Sequence, residues 1–109
     1  QNENRRDAKK LRTAIISDRS KALSTLKKKI AALEEEITKL EWDVQQDTQR
    51  LLEVTMKGEA LNIKKLSQGI RENKARIDGR FAELQTATDE HDEKAKTFDQ
   101  QLAELAETT

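Results

Sequence analysis

The sequence predicts an all-α protein, two long helices forming an antiparallel intramolecular coiled-coil hairpin, and three observations carry that expectation. Leu23, Leu26, Ile30, Leu33, Ile37, Leu40 and Val44 recur at steps of three and four, and after a polar break at Asp47 the pattern resumes at Leu51 and Val54. That is a heptad seam with Leu23, Ile30, Ile37, Val44 and Leu51 at a. The 109 residues contain no proline, the commonest helix breaker. Apolar residues make up 34% and charged residues 39%, too polar for an ordinary globular core. The apolar residues are nevertheless periodic rather than scattered, which argues against disorder.

Helix 1 is expected over about residues 4 to 56, with Asn2 or Asn4 able to cap it after a frayed or linker-like start. Ala8, Leu11 and Ile15 share a face, and the stripe passes through Ile16 toward Leu23. The phase slips there and Arg19 takes a seam position, so a local irregularity is expected between Ile16 and Leu23. The turn is expected over about 57 to 61, where Gly58 is the natural left-handed residue after a helix end. Helix 2 is expected over about 62 to 106. Its stripe reads Ile63, Leu66, Ile70, Asn73, Ile77, Phe81, Leu84, Thr88, His91, Ala95, Phe98, Leu102 and Leu105. The step from Ile77 to Phe81 reads as a stutter.

Folding at Gly58 pairs Leu51 with Leu66, Leu40 with Ile77, Ile37 with Phe81, Leu33 with Leu84, Leu26 with His91 and Ile16 with Leu102. Leu23 then faces Ala95, and Ile30 faces Thr88. One register serves nearly the whole chain, which is read as a single domain, 1–109. Charge agrees: residues 5–29 carry ten Lys or Arg against two Asp, and their counterpart 89–107 carries seven acids against two Lys. Residues 30–54 carry seven acids against two bases, and 55–80 carry seven bases against three acids. Each exposed pair contributes only ~0.5 kcal/mol, but a consistent sign pattern selects antiparallel over parallel pairing.

Catalysis has little to stand on, so the chain itself is read as no enzyme. His91 is the one histidine and falls in the seam, where a packing role outweighs a catalytic one, although it could titrate near neutral pH. The acid runs Glu34-Glu35-Glu36 and Asp89-Glu90/Asp92-Glu93 point around a helix instead of converging on a metal. Leu66-Ser67-Gln68-Gly69 matches the signature loop of ATP-binding cassette enzymes in letters only, since it lies within a heptad helix and no phosphate loop accompanies it. No cofactor is expected. There is no cysteine, so thiolate chemistry is excluded. No apolar run reaches the roughly 20 residues of a membrane span. The first residue is Gln1, not Met, and a piece of a longer, cytoplasmic protein is expected.

The basic segment is the strongest binding candidate. Arg5, Arg6, Lys9, Lys10 and Arg12, then Lys27, Lys28 and Lys29, offer contacts to a phosphate backbone through counterion release. The opposing reading is that the acidic end of helix 2 neutralises them. A nucleic-acid contact is therefore weighted to the first 12 residues, most of which are expected to overhang that end. Trp42 falls at an outward f position, where it marks a contact surface unless a phase shift buries it. Met56 and Lys57, at the tip, are where such a hairpin would touch a partner.

The run Asn4-Arg5-Arg6-Asp7-Ala8-Lys9-Lys10-Leu11-Arg12 leads into Leu26-Lys27-Lys28-Lys29-Ile30-Ala31-Ala32-Leu33-Glu34-Glu35-Glu36-Ile37-Thr38-Lys39-Leu40-Glu41, and a second helix carries Phe81-Ala82-Glu83-Leu84. This order resembles the C-terminal coiled-coil domain of ABC-F proteins, soluble ATP-binding cassette ATPases that act on ribosomes and not in membranes. Two positions depart from the usual pattern: the tip has no tyrosine, and Phe98 stands where a tryptophan is common. The resemblance implies a hairpin attached to ATPase domains, with DNA, ribosomal RNA or the ribosome as partner and the eight cations named above as its contacts. A monomer or weak dimer is expected, and the alternative is a structural or tethering coiled coil that binds only protein helices, through dimerisation among other routes.

Overall fold

The computed structural model describes residues 2–108, without the Asn2 side chain. The expected Gln1 start therefore lies outside the described residues. Two helices account for them, α1 over Asn2–Lys57 and α2 over Ala60–Thr108. They pack against each other as a helical hairpin, and no strand is present among the described residues. α1 begins two residues earlier than expected, so Asn4 lies inside its first turn and does not cap it. Glu3 in the first turn and Lys57 in the last both complement the helix dipole. Threonines within the helices are accommodated by returning their hydroxyls to the carbonyl four residues back, as Thr25 does to Lys21 and Thr55 to Leu51.

The connection is shorter than the sequence suggests. Gly58 takes φ of 70°. Its N–H donates to the Thr55 carbonyl at 3.2 Å, and the Glu59 N–H donates to the Val54 carbonyl at 3.1 Å. Those two bonds form a Schellman motif, which satisfies the last carbonyls of α1 while reversing the chain. The Glu59 carbonyl already accepts the Ile63 N–H at 3.0 Å, so Glu59 serves as the N-cap residue of α2. Its carboxylate accepts the Asn62 amide at 3.0 Å. No Ser, Thr or Asp stands at that start, which is why the sequence places it two residues late.

Packing divides the chain into two units, one built from α1 up to Ile30 with α2 from Thr86 onward, the other from Ala31 to Gln85. In the first unit Leu23, Leu26 and Ala87 are buried. Ala87 is the most enclosed residue, 2% exposed, and the expected seam residue Thr88 beside it is only half-buried. In the second unit Leu33, Ile37 and Ile70 are buried. Each such leucine or isoleucine contributes roughly 1.5–3 kcal/mol.

Two features differ from expectation. Phe81 is not the seam partner of Ile37: it is 48% exposed, and Arg80 is the half-buried residue on that face. Taking Arg80 and Ala87 in place of Phe81 and Thr88 keeps steps of three and four unbroken from Ile63 to His91, and the stutter then falls at the step from His91 to Ala95. Arg80 suits the place because its stem lies along the seam while its guanidinium reaches out. That guanidinium donates to Glu36 at 2.8 Å and to Glu83 at 3.0 Å. The hydrogen bond to Glu36, seconded by Glu83, raises the Arg80 pKa above its ordinary value. The second difference concerns residues 16 to 23, where α1 is unbroken. The phase slip appears as exposure instead: Ile16 and Leu11 are about half exposed, while Ile15 and Arg19 turn inward. Arg19 donates across to Asp99 at 3.1 Å.

His91 is half-buried, its Nδ1 lies 3.1 Å from Asp92 Oδ1, and its Nε2 is buried without a hydrogen-bond partner. An orphaned polar atom in an apolar seam costs about 1–3 kcal/mol. His91→Leu is therefore expected to raise stability by about 1 kcal/mol, read by urea unfolding. Glycine substitutions separate by sign in the same assay. Gly58→Ala is expected to cost about 1 kcal/mol because of its positive φ, whereas Gly69→Ala and Gly79→Ala, in open helical positions, gain roughly 0.5–1 kcal/mol.

Candidate nucleic-acid interface

All eight predicted cations, Arg5, Arg6, Lys9, Lys10, Arg12, Lys27, Lys28 and Lys29, are exposed. None of them has a carboxylate within 4.0 Å among the described residues. In this unit Asp99 of the acidic stretch pairs across to α1 with Arg19.

The structure brings some of these residues together and separates others. Arg5, Lys9 and Arg12 border one hollow, floored by Leu102, Leu105 and Ala106 of α2. This corrects the expected overhang, since Arg5 and Lys9 lie beside the last turns of α2 and do not project beyond them. The reason is that α2 continues to Thr108, two residues further than the sequence suggests. Arg6, Lys9 and Lys10 share a second, outward face with Thr13. Their spacing is that of neighbouring helix turns, and Lys9 belongs to both groups.

Further along the first side, a hollow lined by Ile16, Ser20, Leu23, Lys27 and Leu102 continues the surface. Leu102 is common to both hollows. Lys27 stands about 27 Å along α1 from Lys9. Lys28 and Lys29 do not join it, because successive helical residues turn by about 100° and the triplet fans around α1. The basic surface is thus Arg5, Arg6, Lys9, Lys10 and Arg12 with Lys27 as an outlier. Such a surface offers charge-assisted donors to phosphate oxygens on apolar stems and has no aromatic ring for stacking on a base.

The predicted partner contacts Trp42, Met56 and Lys57 belong to the second unit. Trp42 is 59% exposed, which decides between the two readings of its outward position. It borders a shallow hollow with Ala31, Glu34, Glu35, Thr38 and Lys39. Met56 is 82% exposed and Lys57 is exposed at the end of α1. Sequence reasoning missed Leu52, at 65% exposure, and Leu61 across the turn, at 66%. Leu52 adjoins the seam residue Leu51 and was masked by it, although its spacing from Trp42 and Met56 could have exposed it.

No group of three or more potential ligands that could hold a metal ion occurs among the described residues. No helix among them is long and apolar enough to cross a membrane. Comparison with known proteins gives no match: no family model, curated protein or solved structure matches the chain.

Trp42 is the sole tryptophan, so its fluorescence reports directly on that face. At low micromolar protein its emission is expected to be that of a water-exposed indole, quenched by acrylamide at least half as fast as free tryptophan amide. A blue-shifted, protected emission there would place the ring inside a contact.

Proposed function

We propose that this chain is the non-catalytic coiled-coil accessory domain of an ABC-F-like ATPase, and that it binds the phosphate backbone of nucleic acid, DNA or ribosomal RNA. The family reading rests on the order of the basic lead-in, the Lys27 to Glu41 run and the second helix with Phe81-Ala82-Glu83-Leu84. The binding reading is carried by one observation: Arg5, Arg6, Lys9, Lys10 and Arg12 are clustered and exposed, with no carboxylate within 4.0 Å among the described residues. A zero net charge does not oppose local binding, because counterion release depends on the phosphates neutralised at the contact. Lacking stacking rings and any group arranged to read base edges, the surface supports sequence-independent contact. In this reading the protein works in the cytoplasm, with the ATPase domains supplying the chemistry.

A second reading, a tether that binds only protein helices, is favoured by the exposed Trp42, Leu52 and Met56. The two readings engage different surfaces, so they are separable.

A salt titration of binding to duplex DNA and to structured RNA tests the first. Association should weaken as salt rises, with a log–log slope losing ~0.9 per phosphate contact removed. Arg5→Glu/Lys9→Glu/Arg12→Glu should reduce affinity more than tenfold and flatten the slope by about 2–3. Lys28→Glu/Lys29→Glu should change it less than threefold. Absence of binding at low salt, or equal loss in both variants, contradicts the assignment.

A further inference from the structure

The outer face of α1 carries a second heptad stripe besides the seam. Thr38, Trp42, Gln45, Gln49, Leu52 and Met56 follow at steps of four, three, four, three and four, which aligns them on one helix face. All six are exposed and none is charged. The seam residues of the same segment, Leu40, Val44, Leu51 and Val54, turn inward toward α2. Three large apolar side chains at coiled-coil spacing thus form a face separate from the one that builds the hairpin, on an otherwise densely charged chain.

We propose that this stripe docks a second copy of this chain, α1 against α1 in antiparallel orientation, with a two-fold axis at the level of Asp47. The stripe is self-complementary in that register. Trp42 faces the partner's Leu52, and Met56 faces the partner's Thr38, at the shallow hollow beside Trp42. Gln45 faces the partner's Gln49, so each amide meets another amide able to donate and accept. The flanks agree in charge. Lys39 falls beside the partner's Glu53, and the symmetry repeats that pair. Neither Lys39 nor Glu53 is ion-paired within its own chain among the described residues. Glu41 falls beside the partner's Thr55, and Thr48 beside the partner's Thr48, so no like charges meet. A parallel pair would set indole on indole and leave Glu53 opposite threonine.

The stripe spans about 27 Å of helix, at the small end of specific interfaces. Association is therefore reversible, with Kd on the order of 10–1000 µM. This contact goes beyond the nucleic-acid reading and uses none of its residues, so either stands if the other fails.

Sedimentation equilibrium of the full chain without nucleic acid, from roughly 10 µM to 1 mM, tests it. The mass should rise from monomer toward dimer, with Trp42 emission shifting blue over the same range. Trp42→Glu/Leu52→Glu should hold it monomeric with helicity unchanged in circular dichroism. Lys39→Glu should weaken association at least threefold, and Lys39→Glu/Glu53→Lys should restore it. A monomer throughout, or a dimer indifferent to Trp42→Glu/Leu52→Glu, overturns the proposal. A charge swap that fails to restore association overturns the antiparallel register.

Discussion

One apolar seam, shared between two helices that cannot bury it separately, is the constraint on which the rest depends. α1 is rich in good helix formers, yet most helical stability in proteins comes from packing an apolar face. Leu23, Leu26, Leu33 and Ile37 are buried only because α2 lies against them. The Gly58 turn makes that pairing local in sequence, holding the loop to two residues. Register then follows from the side chains. Ala87 is the most enclosed residue of its unit, and Arg80 fills its seam position with a stem while its charge escapes to Glu36.

Electrostatics plays a secondary part in the fold and a primary part in the proposed contact. Arg19 with Asp99 and Arg80 with Glu36 cross between helices, and both are substantially exposed, so each adds modestly to stability. They are consistent with the register chosen by the apolar residues. The larger consequence lies in what the pairing leaves unused. Arg19 meets Asp99 across the helices, while Arg5, Arg6, Lys9, Lys10 and Arg12 stay exposed. A chain with zero formal net charge can thereby present a locally basic surface.

The seam of α1 and the turn were legible in the sequence because each rests on a local rule, a three-four repeat and a left-handed glycine. The seam of helix 2 was misread at Thr88, where Ala87 is the enclosed residue, and at Ile77 to Leu84, where choosing by apolarity selects Phe81 and choosing by spacing selects Arg80. Spacing prevails because an arginine stem can occupy a seam without burying its charge. The candidate surface was half legible. Residue type identified the cations, but only geometry separates Arg5, Lys9 and Arg12 from the fanned Lys28 and Lys29. The extent of α2 was also hidden, for want of a stop signal in its last turn, and with it the neighbourhood of Arg5. Trp42 could not be assigned from sequence, since a phase shift of one residue would have reversed its exposure.

The most direct test of the shared seam is an intrachain distance. The chain has no cysteine, so Lys27→Cys/Glu90→Cys accepts two spin labels cleanly, and dilution into unlabelled protein isolates the distance within one chain. Helices packed about 10 Å apart place the labels roughly 15–25 Å from each other. A separation beyond about 60 Å, approaching the ~95 Å of an unfolded-back continuous helix, would contradict the hairpin and everything built on it.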